Sequence, residues 1–171
     1  MLLGLSLQTF TLIHVLISLL GIASGFVVMY GFFTDKRMDG LTVFFLTTTA
    51  LTSITGFMFP FNGITPGIKL GIISVVVLAV ASVARYLVHL AWRKTYVITA
   101  SVALYLNCFV LVVQSFEKIP ALRALAPTQK EPPFAIAQLA LLLVFFFATI
   151  FAVKRFRIEP TSIARSRAVA V

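Results

Sequence analysis

No aspartate or glutamate lies inside any long apolar stretch of this chain, and its five acidic residues are outnumbered by fourteen Lys and Arg. Proton- and sodium-coupled carriers use a carboxylate held among their helices, so a secondary transporter loses its usual relay. An odd number of spans without an internal repeat weighs the same way. Cysteine is nearly absent as well: Cys108 stands alone, which excludes an internal disulfide and any cysteine-based metal cluster. All nine glycines fall at or before Gly71, so the closest backbone contacts are expected among the first three helices. Metal-binding spacing, a P-loop, a nucleophile elbow and a dinucleotide fingerprint are missing, and no cofactor is expected.

What the chain has is apolar length. Hydrophobic residues make up 60% and charged residues 11% of its 171 positions, with a mean hydropathy of +1.07. A soluble fold of that size cannot hide so much apolar surface in one core. Five runs, at about residues 8–33, 41–60, 67–92, 95–116 and 133–153, each reach the roughly 20 residues that a helix needs to cross a bilayer. The expected fold is an all-α membrane protein: residues 1–153 form a bundle of five transmembrane helices, and residues 154–171 form a basic tail. The first run lacks a basic leader and an obvious small-x-small cleavage site, so it is expected to be a retained span.

The basic residues orient the bundle, because Lys and Arg near span ends stay on the cytoplasmic side. One set of breaks holds Lys36, Arg37, Arg93, Lys94, Lys154, Arg155, Arg157, Arg165 and Arg167; the other holds only Lys69, Lys118, Arg123 and Lys130. The N-terminus is therefore expected outside and the C-terminus in the cytoplasm. The net charge of +9 follows from this topology, so no nucleic-acid partner is expected, and the tail suits anionic lipid. Tyr30, Tyr86, Trp92 and Tyr96 gather at the inner boundary, where an amphipathic ring keeps its polar edge among headgroups.

The breaks carry ordinary stop signals. TDKRMDG (34–40) supplies charges and Gly40, while PFNGITPG (60–67) sets Pro60 and Pro66 around an Asn62-Gly63 turn. Thr95 is a candidate cap for the fourth helix. In KIPALRALAP, Pro120 is placed to start a short interfacial helix that Pro127 ends.

Polar positions report which faces point inward. Thr11, His14, Ser18, Gly21 and Gly25 form a narrow stripe on the first helix. On the second, Thr48, Thr49, Thr52, Ser53, Thr55 and Gly56 share one side, leaving Val43, Ala50, Leu51, Ile54, Phe57 and Met58 to face lipid. The third helix aligns Gly67, Gly71, Ser74, Leu78, Ala81, Arg85, His89 and Trp92 at steps of three and four. The fifth, dominated by Leu, Phe and Ala, is expected at the periphery.

Two candidate sites follow. Arg85, His89 and Tyr96 form a candidate anion or lipid-headgroup site, with Arg85 and His89 placed as neighbours on one helix face. The alternative for Arg85 is a structural ion pair with Asp35 or Asp39. His14, Thr52, Gln114 and Gln138 fall in the outer half and make a candidate polar pocket, with interhelical hydrogen bonding as the simpler reading. A haem held by His14 and His89 of one chain is excluded by depth, which leaves a single-ligand site or one shared between chains open: the level of His14 lies about sixteen residues above His89 on the third helix, roughly 24 Å at 1.5 Å per residue.

TGFMFPFNG at 55–63, ARY at 84–86, ALYLN at 103–107 and LAPTQKEPPF at 125–134 together resemble a group of small multi-pass bacterial inner-membrane proteins with no assigned function. The resemblance covers nearly the whole chain and implies the bacterial inner membrane. It carries no catalytic or ligand residues across. The function expected from all of this is that of a non-enzymatic accessory membrane subunit binding lipids, a membrane-protein partner or a further copy of itself. The alternative is a small-molecule transporter or channel, and the third reading is a membrane redox or lipid-modifying enzyme.

The depth argument predicts featureless reduced-minus-oxidised spectra for the purified protein. A stoichiometric bis-histidine signal lost in either His14→Ala or His89→Ala, with both ligands from one chain, would defeat it.

Overall fold

The computed structural model describes residues 4–60, 63 and 65–157. Phe61, Asn62 and Ile64 of the second connection, and the tail from Ile158 onward with Arg165 and Arg167, lie outside the described residues. The fold is all-α, with the order α1 Leu7–Phe33, α2 Asp39–Phe57, α3 Pro66–Ser82, α4 Arg93–Lys118, α5 Pro120–Leu125 and α6 Pro132–Arg155. A π-helical turn, Val83–Leu87, continues α3. Together with α3 and its π-turn, α1, α2, α4 and α6 are five helices long and apolar enough to cross a membrane, which makes this a multi-pass membrane protein.

Local chemistry sets the helix ends. Ser6 accepts the Thr9 amide at the start of α1, and Thr65 accepts the Ile68 amide ahead of Pro66 in α3, each satisfying an otherwise orphaned donor. The loop between α1 and α2 winds tightly, with Asp35 and Met38 in the left-handed region. It folds back so closely that a Cβ on Gly31 would stand 2.9 Å from the Lys36 carbonyl. Helix α4 starts at Arg93 with Trp92 as its cap residue, so Thr95 lies inside the first turn and caps nothing. The short helix opened by Pro120 closes at Leu125, before Pro127.

The spans pack as in other membrane bundles, through small residues and satisfied polar ones. Helices α1 and α2 make the most extensive pair: Gly21 faces Thr48 and Thr49, and Gly25 receives the Phe45 and Leu104 side chains. The hydroxyls of Thr48, Thr52, Ser53 and Thr55 turn back to carbonyls one turn earlier, which satisfies these four donors within the helix. Val43, Leu51, Ile54 and Phe57 of the opposite side are exposed, but Ala50 packs against the core and Met58 is half-buried.

The centre of the bundle is α4, although it contains no glycine. Ala100, Ser101, Ala103 and Leu104 are buried on it, and it contacts α1, α2, α3 and α6. Alanine and serine therefore supply the close approach that glycine alone suggested for the first three helices. Of the apolar window of α4, 44% is buried, against 11% for α6, which leaves α6 the peripheral span.

Gly25 and Gly40 separate packing from propensity. A Cβ on Gly25 would stand 2.5 Å from Leu104 and 2.8 Å from Phe45, whereas nothing lies within 4 Å of one on Gly40. Gly25→Ala is expected to destabilise by about 1–3 kcal/mol through overpacking. Gly40→Ala should leave stability unchanged or raise it by up to about 1 kcal/mol. Thermal unfolding in detergent compares the two, and equal effects would refute the packing assignment.

Candidate functional site

The strongest concentration of polar contacts lies at the end of the bundle where residues 34–38, residues 88–92 and the end of α6 meet, here termed the basic end. Its organising feature is the way α3 stops. The Val88 amide bonds back to the Val83 carbonyl and the Leu90 amide to the Ala84 carbonyl, which widens the last turn. His89 and Leu90 then both adopt the left-handed region, at φ 47° and 63°. For a bulky side chain this conformation is uncommon and costs energy. Burial of Leu90 to 1% exposure offsets that cost and fixes the turn.

This ending corrects the reading of Arg85 and His89 as neighbours on one helix face. The regular spacing of three and four stops at the π-turn, so the third span ends at Leu87 and not near residue 92. Arg85 sits in the last turn and points inward, with 1% of its side chain exposed. His89 lies beyond the helix and is exposed. The structure therefore brings Arg85 and Tyr96 together and leaves His89 outside. Of the four aromatics expected at the boundary, Tyr30, Tyr86 and Trp92 are exposed there, but Tyr96 is fully buried in the core.

Around Arg85 the parts fit closely. Its Nη2 donates to the Asp39 carboxylate and to the Arg37 carbonyl at 3.2 Å. Asp39 is also paired with Arg37 at 3.4 Å and opens α2, where a carboxylate is favoured by the helix end. The guanidinium carbon lies 4.9 Å from the centre of the Tyr96 ring and 5.6 Å from that of Tyr86. The buried Nη1 has no hydrogen-bond partner among the described residues, and the two ring faces lie within cation–π range of the guanidinium. Tyr96 in turn donates to the Thr42 hydroxyl at 3.4 Å, and its ring meets Phe32 edge to face at 5.4 Å. Phe156, just past α6, is fully buried against Phe32 at 5.2 Å.

One side chain from each span, or from the residue just after it, thus converges on Tyr96. Of the two acidic candidates, Asp39 is the partner of Arg85. Its carboxylate occupies the place that an external anion would take, so the geometry is that of a structural ion pair. Thr42, Phe32 and Phe156 were not evident as members. Phe156 had one usable signal, an apolar residue four positions after Ala152 within a basic stretch.

The four residues of the outer polar pocket do not converge. The His14 ring shares a hydrogen bond with the Thr55 hydroxyl at 2.8 Å, between α1 and α2. Thr52 donates to the Thr48 carbonyl within its own helix. Gln114 is exposed and donates to Glu117, while Gln138 donates across to the Phe109 carbonyl on α4. Each serves a separate contact. Another interhelical bond, Asn107 to the Thr49 hydroxyl at 3.2 Å, ties α4 to α2. Among the described residues no three His, Cys, Asp or Glu side chains come together as a metal-holding group.

No protein-family model matches the chain, and neither a curated protein nor a solved structure matches it significantly.

Breaking a buried ion pair from one side leaves a charge without compensation and costs about 3–5 kcal/mol. Asp39 retains 65% side-chain exposure, so water relieves part of that loss. Asp39→Asn is therefore expected to destabilise by about 1–2 kcal/mol. Arg85→Met should cost less in the Asp39→Asn background than in the native one. A double-mutant cycle on thermal stability measures the difference, and additive effects would remove the pair from its structural role.

Proposed function

We propose that this chain is a non-enzymatic accessory protein of the bacterial inner membrane, which works by binding lipid or a membrane-protein partner. The observation that carries this reading is the fate of Arg85. The charge drawn into the third span is taken up by Asp39 and Tyr96 of the same chain, so it is committed to holding helices together. The bonds from His14 to Thr55 and from Asn107 to Thr49 tie span to span in the same way. Polar groups committed to each other make a poor conduction path or reaction centre. What remains for recognition is the outside: a lateral belt of large exposed apolar side chains, and the cationic rim at the basic end.

The orientation proposed with this function puts the basic end in the cytoplasm, on the nine-to-four division of the basic residues. The rim then faces the leaflet whose anionic lipids attract Lys and Arg.

Two measurements test the proposal. Reporter fusions after Lys94 and Arg157 are expected to read cytoplasmic, with fusions between Pro120 and Pro132 external; the opposite pattern would reverse the orientation. Native mass spectrometry of the protein released from mild detergent should show retained phospholipid. Solute flux through proteoliposomes holding only this chain would replace the accessory reading with a transporter or channel.

A further inference from the structure

We infer that the cleft between the ends of α1 and α6 is a binding site for an anionic phospholipid, with the headgroup phosphate on its rim. The inference rests on the lipid-binding reading above and gives it a place and a ligand chemistry. The cleft measures about 640 Å³ and is lined by Phe33, Asp35, Phe151, Lys154, Arg155 and Arg157 among others. That volume is in the range of small-molecule sites, roughly 300–1,000 Å³.

Its two halves differ in chemistry. Phe33 is the last residue of α1 and Phe151 lies one turn before the end of α6; their rings meet edge to face at 5.4 Å. Both belong to spans, so this floor lies at the edge of the hydrocarbon layer. Above it, among the described residues, stand three cations, Lys154, Arg155 and Arg157, against the carboxylate of Asp35, a surplus of two positive charges. Among the described residues, the ion pairs Arg85–Asp39 and Arg37–Asp39 go to Asp39 and involve none of these three cations.

The fold holds the rim in place. The Arg157 amide donates to Asp35 at 2.7 Å, and its Nε donates to the Lys154 carbonyl at 3.2 Å, which turns the chain back over the end of α1. The Arg155 guanidinium carbon sits 5.2 Å from the centre of the Phe151 ring, so its charge is kept directly over the apolar floor. Cations stacked on an apolar base match an amphiphile whose phosphate is joined to acyl chains. A free phosphate would use the rim alone, whereas a phospholipid uses both halves.

The full chain in mild detergent can be titrated with phosphatidylglycerol and, separately, with phosphatidylcholine of the same acyl chains, with binding read by native mass spectrometry. The native protein is expected to prefer phosphatidylglycerol by roughly thirtyfold, the order that two surplus charges supply at a headgroup. Lys154→Gln/Arg155→Gln/Arg157→Gln should abolish the preference, and Lys118→Gln/Arg123→Gln/Lys130→Gln, at the opposite end, should keep it. The three rim side chains are exposed, and Lys154→Gln alone provides a partial loss if the triple variant does not fold. Phe33→Ala/Phe151→Ala should weaken both lipids, and excess inorganic phosphate should fail to displace phosphatidylglycerol. A preference that survives in the rim variant, falls equally in the opposite-end control, or yields fully to inorganic phosphate would overturn the site while leaving lipid binding in general intact. Retention of neither lipid by the native protein would remove both.

Discussion

A guanidinium buried between helices, with a carboxylate on one side and an aromatic ring beneath it, fixes how the helices of this bundle meet at one end. Arg85 comes from the π-turn that ends the third span, Asp39 from the first turn of α2 and Tyr96 from the first turn of α4. Hydrophobic burial cannot set that arrangement, because lipid is as apolar as the helix faces and offers no preference between them. A buried charge does set it, since each alternative packing leaves the guanidinium without its carboxylate. Tyr96 spreads the constraint further through Thr42 on α2, Phe32 on α1 and Phe156 after α6.

The π-turn is what makes this position available. Had α3 continued as a regular α-helix, Arg85 and His89 would share a face and both would need partners inside. Widening the turn at Val83–Leu87 keeps Arg85 inward, exposes His89 and swings Leu90 into the core. One local irregularity thus avoids burying a second ionisable group. The strain at Leu90 is confined to the boundary, where a short run of irregular backbone can reach water or loop partners.

The spans, the inward side of α2 and the peripheral place of α6 were legible in the sequence because each depends on a pattern of hydropathy or small residues repeated over many turns. The end of α3 was not, because a π-turn leaves no compositional trace: VARYLVHL reads as an uninterrupted helical pattern with no Gly or Pro. Tyr96 looked suited to the interface, as Tyr30 does, and only its place on the central helix buries it. The ion pair was legible as one of two options. Choosing Asp39 over Asp35 required the left-handed turns at Asp35 and Met38, which aim two carboxylates only four residues apart in different directions. The outer pocket failed for a related reason. Depth can be counted along a helix, but rotation about its axis accumulates error, and His14 and Gln138 face different neighbours at the same end.

The two ends of the bundle therefore use polarity differently. Toward the far end, polar side chains make single bonds between adjacent helices, such as His14 to Thr55 and Gln138 to the Phe109 carbonyl. At the basic end, charge is divided between an inner and an outer tier. The inner tier, a buried Arg85 with an Asp39 that keeps its outer side exposed, holds the helices together. The outer tier, Lys154, Arg155 and Arg157, stands on an apolar floor with one carboxylate for three cations. An ion pair already satisfied gains little from a further anion, whereas surplus cations beside hydrocarbon gain from one that brings its own apolar chains. On the proposed reading, recognition of the membrane at this end is a property of the outer tier, and it depends on the inner tier only for the rigidity of the frame that carries it.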